Sequence, residues 1–184
     1  SVSVGGSGRA IFHTGSITGS TGLKTLIGSG SGRFRYNSDE SAANYSESLS
    51  TGQYAIYREQ PASTITPSST TLTYGESTPT ISASGLQNGD TLTASIEDES
   101  YTDHGGDETK YLDVKGEVDA VSGDFQVQSY SISENLSALG YNVTNTQSIT
   151  VNQKQVSLTA TKTYDGSNVL DGSEVTIGNL VNNE

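Results

Sequence analysis

The chain has 184 residues, of which 31% are hydrophobic, and its formal net charge is −12 at pH 7. It contains no Cys, which excludes disulfides, thiol chemistry and Cys-ligated metals, and it contains no Met, so Ser1 is expected to begin a processed or excised chain. The acidic balance argues against nucleic acid and anionic membranes as partners.

Charge is distributed unevenly along the chain. The first 60 residues carry five basic and four acidic side chains, whereas residues 61–184 carry four Lys and 17 Asp or Glu. This shift predicts a boundary near Pro61. The hydrophobic fraction is below the ~45–50% of an average globular domain. The apolar residues nevertheless alternate in short runs rich in Val, Ile, Thr and Tyr, which favours half-buried strands over disorder.

The first 60 residues are dense in Gly and Ser, and Gly turns separate short predicted strands. These strands are Val2–Val4, Ala10–His13, Leu23–Ile27 and Arg33–Tyr36. Such spacing is typical of the coils of a parallel β-solenoid, and an irregular hairpin cap has a similar composition. Residues 37–52 are expected to form a loop with room for one helical turn, followed by a strand that Pro61 ends.

From Ala62 onwards the pattern becomes a run of longer strands with turn signals between them. The predicted strands are Ser69–Tyr74, Thr80–Ser84, Thr91–Glu97, Tyr111–Val114, Asp124–Ser131, Tyr141–Thr144, Ser148–Val151 and Val156–Ala160. No segment shows a helical period of useful length. The run predicts an antiparallel β-sandwich or grooved sheet of roughly 90 residues.

Two phrases of the sequence share a Tyr followed by a Gly turn. The first reaches Tyr74-Gly75, and the second reaches Tyr164-Asp165-Gly166, 90 residues later. Each Tyr is expected to pack its ring at the end of a strand while Gly permits the turn. Tyr164 is therefore predicted to open a second module, of which only the first part is present, with a further strand at Val175–Ile177.

Several phrases in order resemble one protein family. "GSGSGRFRYNSDES" followed by "GQYAIYREQP" is similar to the end of the β-helical shaft in filamentous-haemagglutinin-like adhesins, which Gram-negative bacteria export by two-partner secretion. "LTYGESTPTISASGLQNGDTL", with later "GDFQV", "LGYNV" and "SITV", resembles the MBG-type modules of that family. "TKTYDGSNVL" resembles the opening of the related YDG module. "EDESYTDHGGDETKYLDVKGEVDAVS" departs from the pattern, because it is longer and more acidic.

The resemblance implies an all-β chain in three parts. Residues 1–60 would form the end or cap of a β-solenoid shaft, residues 61–153 an antiparallel, sandwich-like MBG module, and residues 154–184 the first part of a YDG-like module. The implied protein is secreted to the bacterial cell surface through an outer-membrane transporter. It would act as a non-enzymatic stalk in cell attachment or biofilm formation. A self-assembling extracellular filament subunit and a carbohydrate-binding module are the alternatives.

Reactive side chains form no catalytic motif in the sequence. The two His residues, His13 and His104, have no partner at a meaningful spacing, and a solvent-facing position is favoured for His13. No nucleophile elbow, phosphate-binding loop or dinucleotide fingerprint occurs. The sequence therefore predicts no enzyme, no catalytic residue and no cofactor.

The acidic stretch Glu97–Glu108 is the strongest candidate ligand site. Its acidic residues could converge around a Gly-Gly turn beside His104 and offer the oxygen donors that Ca²⁺ requires. They are Asp98, Asp103, Asp107 and Glu108. Because the order of an EF-hand loop is lacking, a solvated loop is favoured and no metal site is assigned.

Other polar and aromatic groups have structural interpretations. Arg33 and Arg35 flank Phe34 on one predicted strand and share a face, so ion pairs with Asp39, Glu40 or Glu59 are favoured over anion binding. A carbohydrate platform would depend on Tyr101 and Tyr111. Three Asn residues lie in N-x-[ST] sequons, which are interpreted as chance matches in a Ser- and Thr-rich chain: Asn44, Asn135 and Asn142.

The ends of the predicted parts suggest how the chain is joined and with what it associates. Residues 52–64 contain no flexible Gly/Ser run, so a stiff connection is predicted, with the strand at Tyr54–Tyr57 continuing the stack. The two strands at the end of the chain are marginal alone. Copies of the chain are therefore expected to pair through strand edges. Host or cell-surface glycans and proteins are the other candidate partners.

Overall fold

The computed structural model describes residues 4–98, 129–144 and 148–180, and these belong to the all-β class that the alternating pattern predicted. Their twelve strands form four sheets, and two short α-helices accompany them. No helix within these ranges is long and apolar enough to cross a membrane. The predicted strands Val2–Val4 and Tyr111–Val114 and the first half of Asp124–Ser131 lie wholly or mostly outside the described residues.

The first sheet is parallel throughout. Its strands are β1 (Arg9–Thr14), β2 (Phe34–Arg35) and β3 (Gly52–Tyr57), in the order β1-β3-β2. β3 pairs with β1 along its whole length and with β2 at Ala55 and Ile56. The strand predicted to continue the stack therefore lies in its middle, between two strands that precede it in the chain.

Residues Leu23–Ile27, predicted as a strand, belong to the helix α1 (Thr21–Ile27), so that prediction is wrong. Leu23 and Ile27 are four residues apart, which places them on one side of a helix. Ile27 is buried and Leu23 packs beside it against the same interior. Gly28, with φ +98°, ends the helix, and its N–H donates to the carbonyl of Lys24.

Two mixed sheets follow. The three-stranded sheet has the order β6-β4-β9 and contains β4 (Ala62–Pro67), β6 (Ile81–Ser84) and β9 (Asn142–Thr144). The four-stranded sheet has the order β5-β10-β8-β7 and contains β5 (Thr71–Thr73), β7 (Ala94–Asp98), β8 (Ser129–Glu134) and β10 (Ile149–Asn152). The short helix α2 (Leu136–Leu139) joins β8 to β9. β4 with β9 and β5 with β10 pair in parallel, whereas the other pairs are antiparallel, as the sequence predicted.

The strand β4 has no counterpart among the predicted strands. Its side chains alternate between the interior and the surface, with Ser63, Ile65 and Pro67 inside. A polar residue at an inward position obscures the alternation in the sequence. The hydroxyl of Ser63 is satisfied, because it donates to the carbonyl of Ser84 at 2.8 Å.

Two apolar clusters form the interior. The first core contains Ile17, Ile27, Phe34, Tyr36, Ala55, Tyr57, Leu136, Leu139 and Tyr141. The second core contains Ile65, Leu72, Ile96, Tyr130, Ile132, Ile149 and Val151. Ala83, Leu92 and Val143 pack against both. Residues from both sides of Pro61 thus share one interior, and the domain boundaries at residues 60 and 153 stay predictions.

The fourth sheet is an antiparallel hairpin. It consists of β11 (Ser157–Ala160) and β12 (Val175–Gly178), close to the strands predicted there. Neither core contains a residue of this hairpin. Tyr74 packs against the second core, as predicted, but Tyr164 is 91% exposed and does not pack at a strand end.

Candidate functional site: a buried tyrosine–aspartate cluster

Asp90 is a buried carboxylate, only 6% exposed. It follows a tight turn in which Asn88 has φ +52° and Gly89 has φ +80°. The turn lies against the chain after α1, where the N–H of Gly30 donates to the carbonyl of Asn88 at 3.0 Å. A Cβ on Gly89 would lie 2.8 Å from the backbone nitrogen of Gly30, so only Gly fits this approach. The turn therefore fixes Asp90 against the first core.

Two tyrosine hydroxyls donate to the same oxygen of Asp90. The hydroxyl of Tyr36 lies 2.6 Å from Oδ2, and that of Tyr141 lies 2.9 Å from it. Asn88 Nδ2 donates to the Tyr36 hydroxyl at 3.0 Å, and the N–H of Gln87 donates to the Tyr141 hydroxyl at 2.8 Å. Each hydroxyl thus donates one hydrogen bond and accepts one. Tyr36, Asn88, Asp90 and Tyr141 are called the tyrosine–aspartate cluster below.

Aromatic rings enclose this cluster. The ring of Tyr36 stacks on that of Tyr57 at a centroid distance of 5.6 Å and meets the edge of Tyr141 at 4.7 Å. Phe34 lies 6.4 Å from Tyr57. Phe34, Tyr36 and Tyr57 are fully buried. Tyr141 comes from the far side of Pro61, so the rings join segments that are remote in sequence.

Arg35 is a second buried charge, 2% exposed. Its guanidinium donates to backbone carbonyls, those of Gly32, Phe34, Glu47 and Ser48. It also lies over the rings of Tyr45 and Tyr54, at 5.8 and 5.6 Å from their centroids. Burial lowers the pKa of Arg35. The side chain therefore ties the loop between β2 and β3 to the first sheet.

The ion pairs predicted for Arg33 and Arg35 are wrong. Arg58 instead lies 3.7 Å from Asp39 and 3.6 Å from Glu40. The Glu59 carboxylate accepts the backbone N–H of Ile17 at 2.7 Å. A buried guanidinium beside a loop finds carbonyl acceptors, which the sequence pattern does not reveal.

The chemistry of the tyrosine–aspartate cluster is that of a closed, proton-holding network. Burial raises the pKa of Asp90, although the hydrogen bonds from Tyr36 and Tyr141 and the charge of Arg35 act in the opposite direction. Its other oxygen, Oδ1, is buried and has no hydrogen-bond partner among the described residues. Burial also raises the pKa of both tyrosines. The hydroxyl protons are held in hydrogen bonds to Asp90, so the geometry favours a lock between segments.

We expect Asp90→Asn to change how stability depends on pH. The pKa of Asp90 is higher in the folded than in the unfolded chain, so the folded state binds its proton more tightly. The contribution of Asp90 to the free energy of unfolding therefore falls as pH rises from about 3.9, the unfolded value. Urea unfolding from pH 3 to pH 7 should show the wild type losing stability relative to the variant as pH rises.

The matched control for this experiment is Asp39→Asn. Hydrogen bonds from Ser41 and Ala42 lower the pKa of Asp39, so its contribution is present at neutral pH and is lost as pH falls. The two variants should thus differ from the wild type with opposite slopes. A pH-independent difference for Asp90→Asn would contradict the assignment of Asp90 as a carboxyl with a raised pKa.

Most of the candidate site residues from the sequence lie outside the described residues. These are Tyr101, Asp103, His104, Asp107, Glu108 and Tyr111. Asp98 ends β7, and His13 is exposed on β1, as predicted. Within the described ranges, no three His, Asp or Glu side chains come together in a way that could hold a metal ion.

The sequon residues have different surroundings. The side chain of Asn135 accepts the N–H of Thr93 at 2.8 Å and donates to the carbonyl of Thr91 at 3.1 Å. Asn44 donates to the carbonyl of Asn37, and Asn142 is exposed on β9. Asn135 therefore links the start of α2 to the turn that carries Asp90.

Comparisons with known proteins found no match among family models, curated proteins or solved structures. The functional argument therefore depends on the resemblance of the sequence and on the geometry of the tyrosine–aspartate cluster.

Proposed function

We propose that the chain is a non-enzymatic structural segment of a secreted bacterial surface adhesin, which stiffens the connection between a β-solenoid shaft and the β modules that follow. The observation that carries this proposal is the tyrosine–aspartate cluster. It buries Tyr36 from the first sheet with Asp90 and Tyr141 from beyond Pro61. A stalk needs such a junction, because independent lobes on a flexible linker would not hold a fixed direction.

The first sheet supports the shaft-end assignment. Its three strands pair in parallel, as successive coils of a solenoid do. β3 is inserted between β1 and β2, which suits a cap, because the chain folds back into its own stack instead of adding a coil. Among the described residues β1 keeps one free edge, to which a coil of the shaft would pair in parallel.

The mixed sheets support the assignment of a β module after the shaft. β6, β4 and β9 form one layer, and the second core lies between Ile65 of that layer and the strands β8 and β10. Sheet packed on sheet is the arrangement of a β-sandwich. Leu92 and Val143 contact both cores, so load applied to the module reaches the first sheet through packed side chains.

Antibodies against this segment should label the outer surface of intact source cells and the culture medium. Immunogold electron microscopy on unpermeabilised cells is the measurement, and a strain lacking the gene is its control. Labelling that appears only after permeabilisation, and only in the cytoplasm, would overturn the proposal.

A replacement experiment separates a stalk from a receptor-binding module. In the full-length protein, exchange of this segment for an unrelated rigid β spacer of similar length should preserve cell attachment. Exchange for a flexible Gly/Ser linker of equal residue count should reduce attachment, because reach and direction are lost. If the rigid spacer abolishes attachment, and Tyr101→Ala in the original segment does the same, the carbohydrate-binding alternative is the better reading.

A further inference from the structure

The hairpin of β11 and β12 repeats the pairing of β4 with β6. Apolar residues lie opposite one another at the same two positions: Ile65–Ala83 and Pro67–Ile81 in the first pair, Leu158–Ile177 and Ala160–Val175 in the second. Small polar residues or Gly lie opposite one another between them: Thr64–Ser84 and Thr66–Ser82, then Ser157–Gly178 and Thr159–Thr176. Each pair therefore has one apolar and one largely polar face.

The match continues past the second strand of each pair. Gly85 follows β6 with φ +80°, and Asn179 follows β12 with φ +63°. Both chains thus make a left-handed step at the same position, and Leu86 and Leu180 come next. Because pairing, faces and exit agree, we treat β11–β12 as a second copy of the β4–β6 unit.

The two copies differ in what covers the apolar face. Ile65, in the first copy, is 1% exposed and lies in the second core. Its counterpart Leu158 is 68% exposed, and Ile177 opposite it is 51% exposed. We call Leu158, Ala160, Val175 and Ile177 the hairpin face. Among the described residues, nothing buries this face.

We propose that the hairpin face docks against the same face of a second copy of the chain. This step goes beyond the stalk function and does not depend on it. The first copy shows that this pattern of apolar residues is built to pack against another sheet, and hydrophobic burial is the principal driving force for such association. Contact between identical faces around a twofold axis is self-complementary, since each Leu158–Ile177 row meets another.

The charges beside the hairpin face favour a second copy as the occupant. The chain as a whole carries a net charge of −12, so most of its surface repels another copy. Within the hairpin, however, Lys162 lies 3.0 Å from Asp165 and 3.7 Å from Glu174. These neighbouring charges partly neutralise one another. The hairpin face is thus a place where two acidic chains meet with little repulsion.

The hairpin face is small, so the association is expected to be weak. Its few apolar side chains cover far less than the ~1,600 Å² of a standard interface. A dissociation constant of roughly 100 µM is the expected scale.

Sedimentation velocity of the complete chain from about 10 µM to 1 mM tests the proposal, over a range set by the expected constant. The mass of the wild type should rise from 19.2 kDa towards twice that value. Leu158→Asp, on the hairpin face, should weaken association by at least tenfold. Thr159→Asp, the adjacent residue on the polar face, is the matched control and should associate like the wild type, because it adds the same charge.

Two further measurements keep the outcome clear. Leu158→Thr removes the apolar side chain but retains strand propensity, so its loss of association cannot be assigned to an unfolded hairpin when the amides of β11 remain protected from exchange. A wild type that stays monomeric at 1 mM would overturn the proposal. Equal loss of association in Thr159→Asp and Leu158→Asp would also overturn it, since contact would then occur through the edge of β11 or the polar face.

Discussion

Gly140→Ala is expected to destabilise the chain by about 3 kcal/mol or more, the combined result of a strained backbone and a backbone clash. Gly140 follows α2 with φ +99°, a conformation that L side chains rarely adopt. An added Cβ would lie 2.3 Å from the carbonyl oxygen of Tyr36. That backbone is held in place, because the N–H of Tyr36 donates to the carbonyl of Leu139 at 2.9 Å.

Two further glycines separate strain from clash in this experiment. Gly166 has φ +81° but open space around its Cα, and Gly15 has open space without a positive φ. Urea unfolding monitored by far-UV circular dichroism should rank the losses of the Ala variants as Gly140, then Gly166, then Gly15. A loss at Gly140 no larger than that at Gly166 would contradict the close approach of α2 to Tyr36.

Local alternation accounts for the parts of the fold that the sequence predicts well. The strands β6, β10, β11 and β12 are short runs with a period of two between turn residues, so each carries its own signal. Parallel pairing carries no such signal. β3 reaches its place between β1 and β2 through contacts with residues some 20 to 45 positions away. Its position therefore follows from tertiary packing that no local pattern encodes.

The helix α1 was mistaken for a strand because its sequence satisfies two periods at once. In Leu23–Ile27 apolar residues occur at the first, fourth and fifth positions, which fits one side of a helix. The Gly-rich surroundings and the strands on either side favour a short strand. The decisive feature is burial of Ile27 with Leu23 beside it, which the sheet can provide only to a helix at that point.

The tyrosine–aspartate cluster was not identified from the sequence. The hydrogen bonds that define it join residues 54 and 51 positions apart. The segment Leu86–Asp90 was correctly predicted as a turn, and an Asp after an Asn-Gly turn is ordinarily solvated. The available signal was weak: Tyr36 and Tyr141 both end apolar runs beside predicted turns.

The repeated Tyr-Gly phrase led to the right region by an incomplete argument. Tyr74 packs against the second core, whereas Tyr164 is almost fully exposed. What repeats in three dimensions is the strand pairing of β4 with β6 and of β11 with β12. Side-chain pattern across a pair of strands is thus a better guide to the repeat than one shared aromatic residue.

Tyr36→Ala is expected to cost about 4 kcal/mol of stability, the usual scale for loss of a fully buried aromatic side chain. The variant loses the stacking on Tyr57 and the edge contact with Tyr141. It also leaves Asp90 with one hydroxyl donor in place of two. Tyr36→Phe keeps the ring and removes only the hydroxyl, so a loss of about 1–3 kcal/mol is expected from the unpaired partners.

The location of the loss tests whether Tyr36 couples the two sides of Pro61. Because its ring and its hydroxyl contact both the first sheet and the segment around Tyr141, Tyr36→Ala should reduce amide protection in β3 and in β9 by similar free energies in native-state hydrogen exchange. Phe34→Ala offers a comparison, since Phe34 contacts Tyr57 within the first sheet and makes no hydrogen bond to Asp90. If Tyr36→Ala loosened β3 while leaving β9 as protected as in the wild type, the two sides would fold independently, and the stiff junction on which the stalk function depends would be refuted.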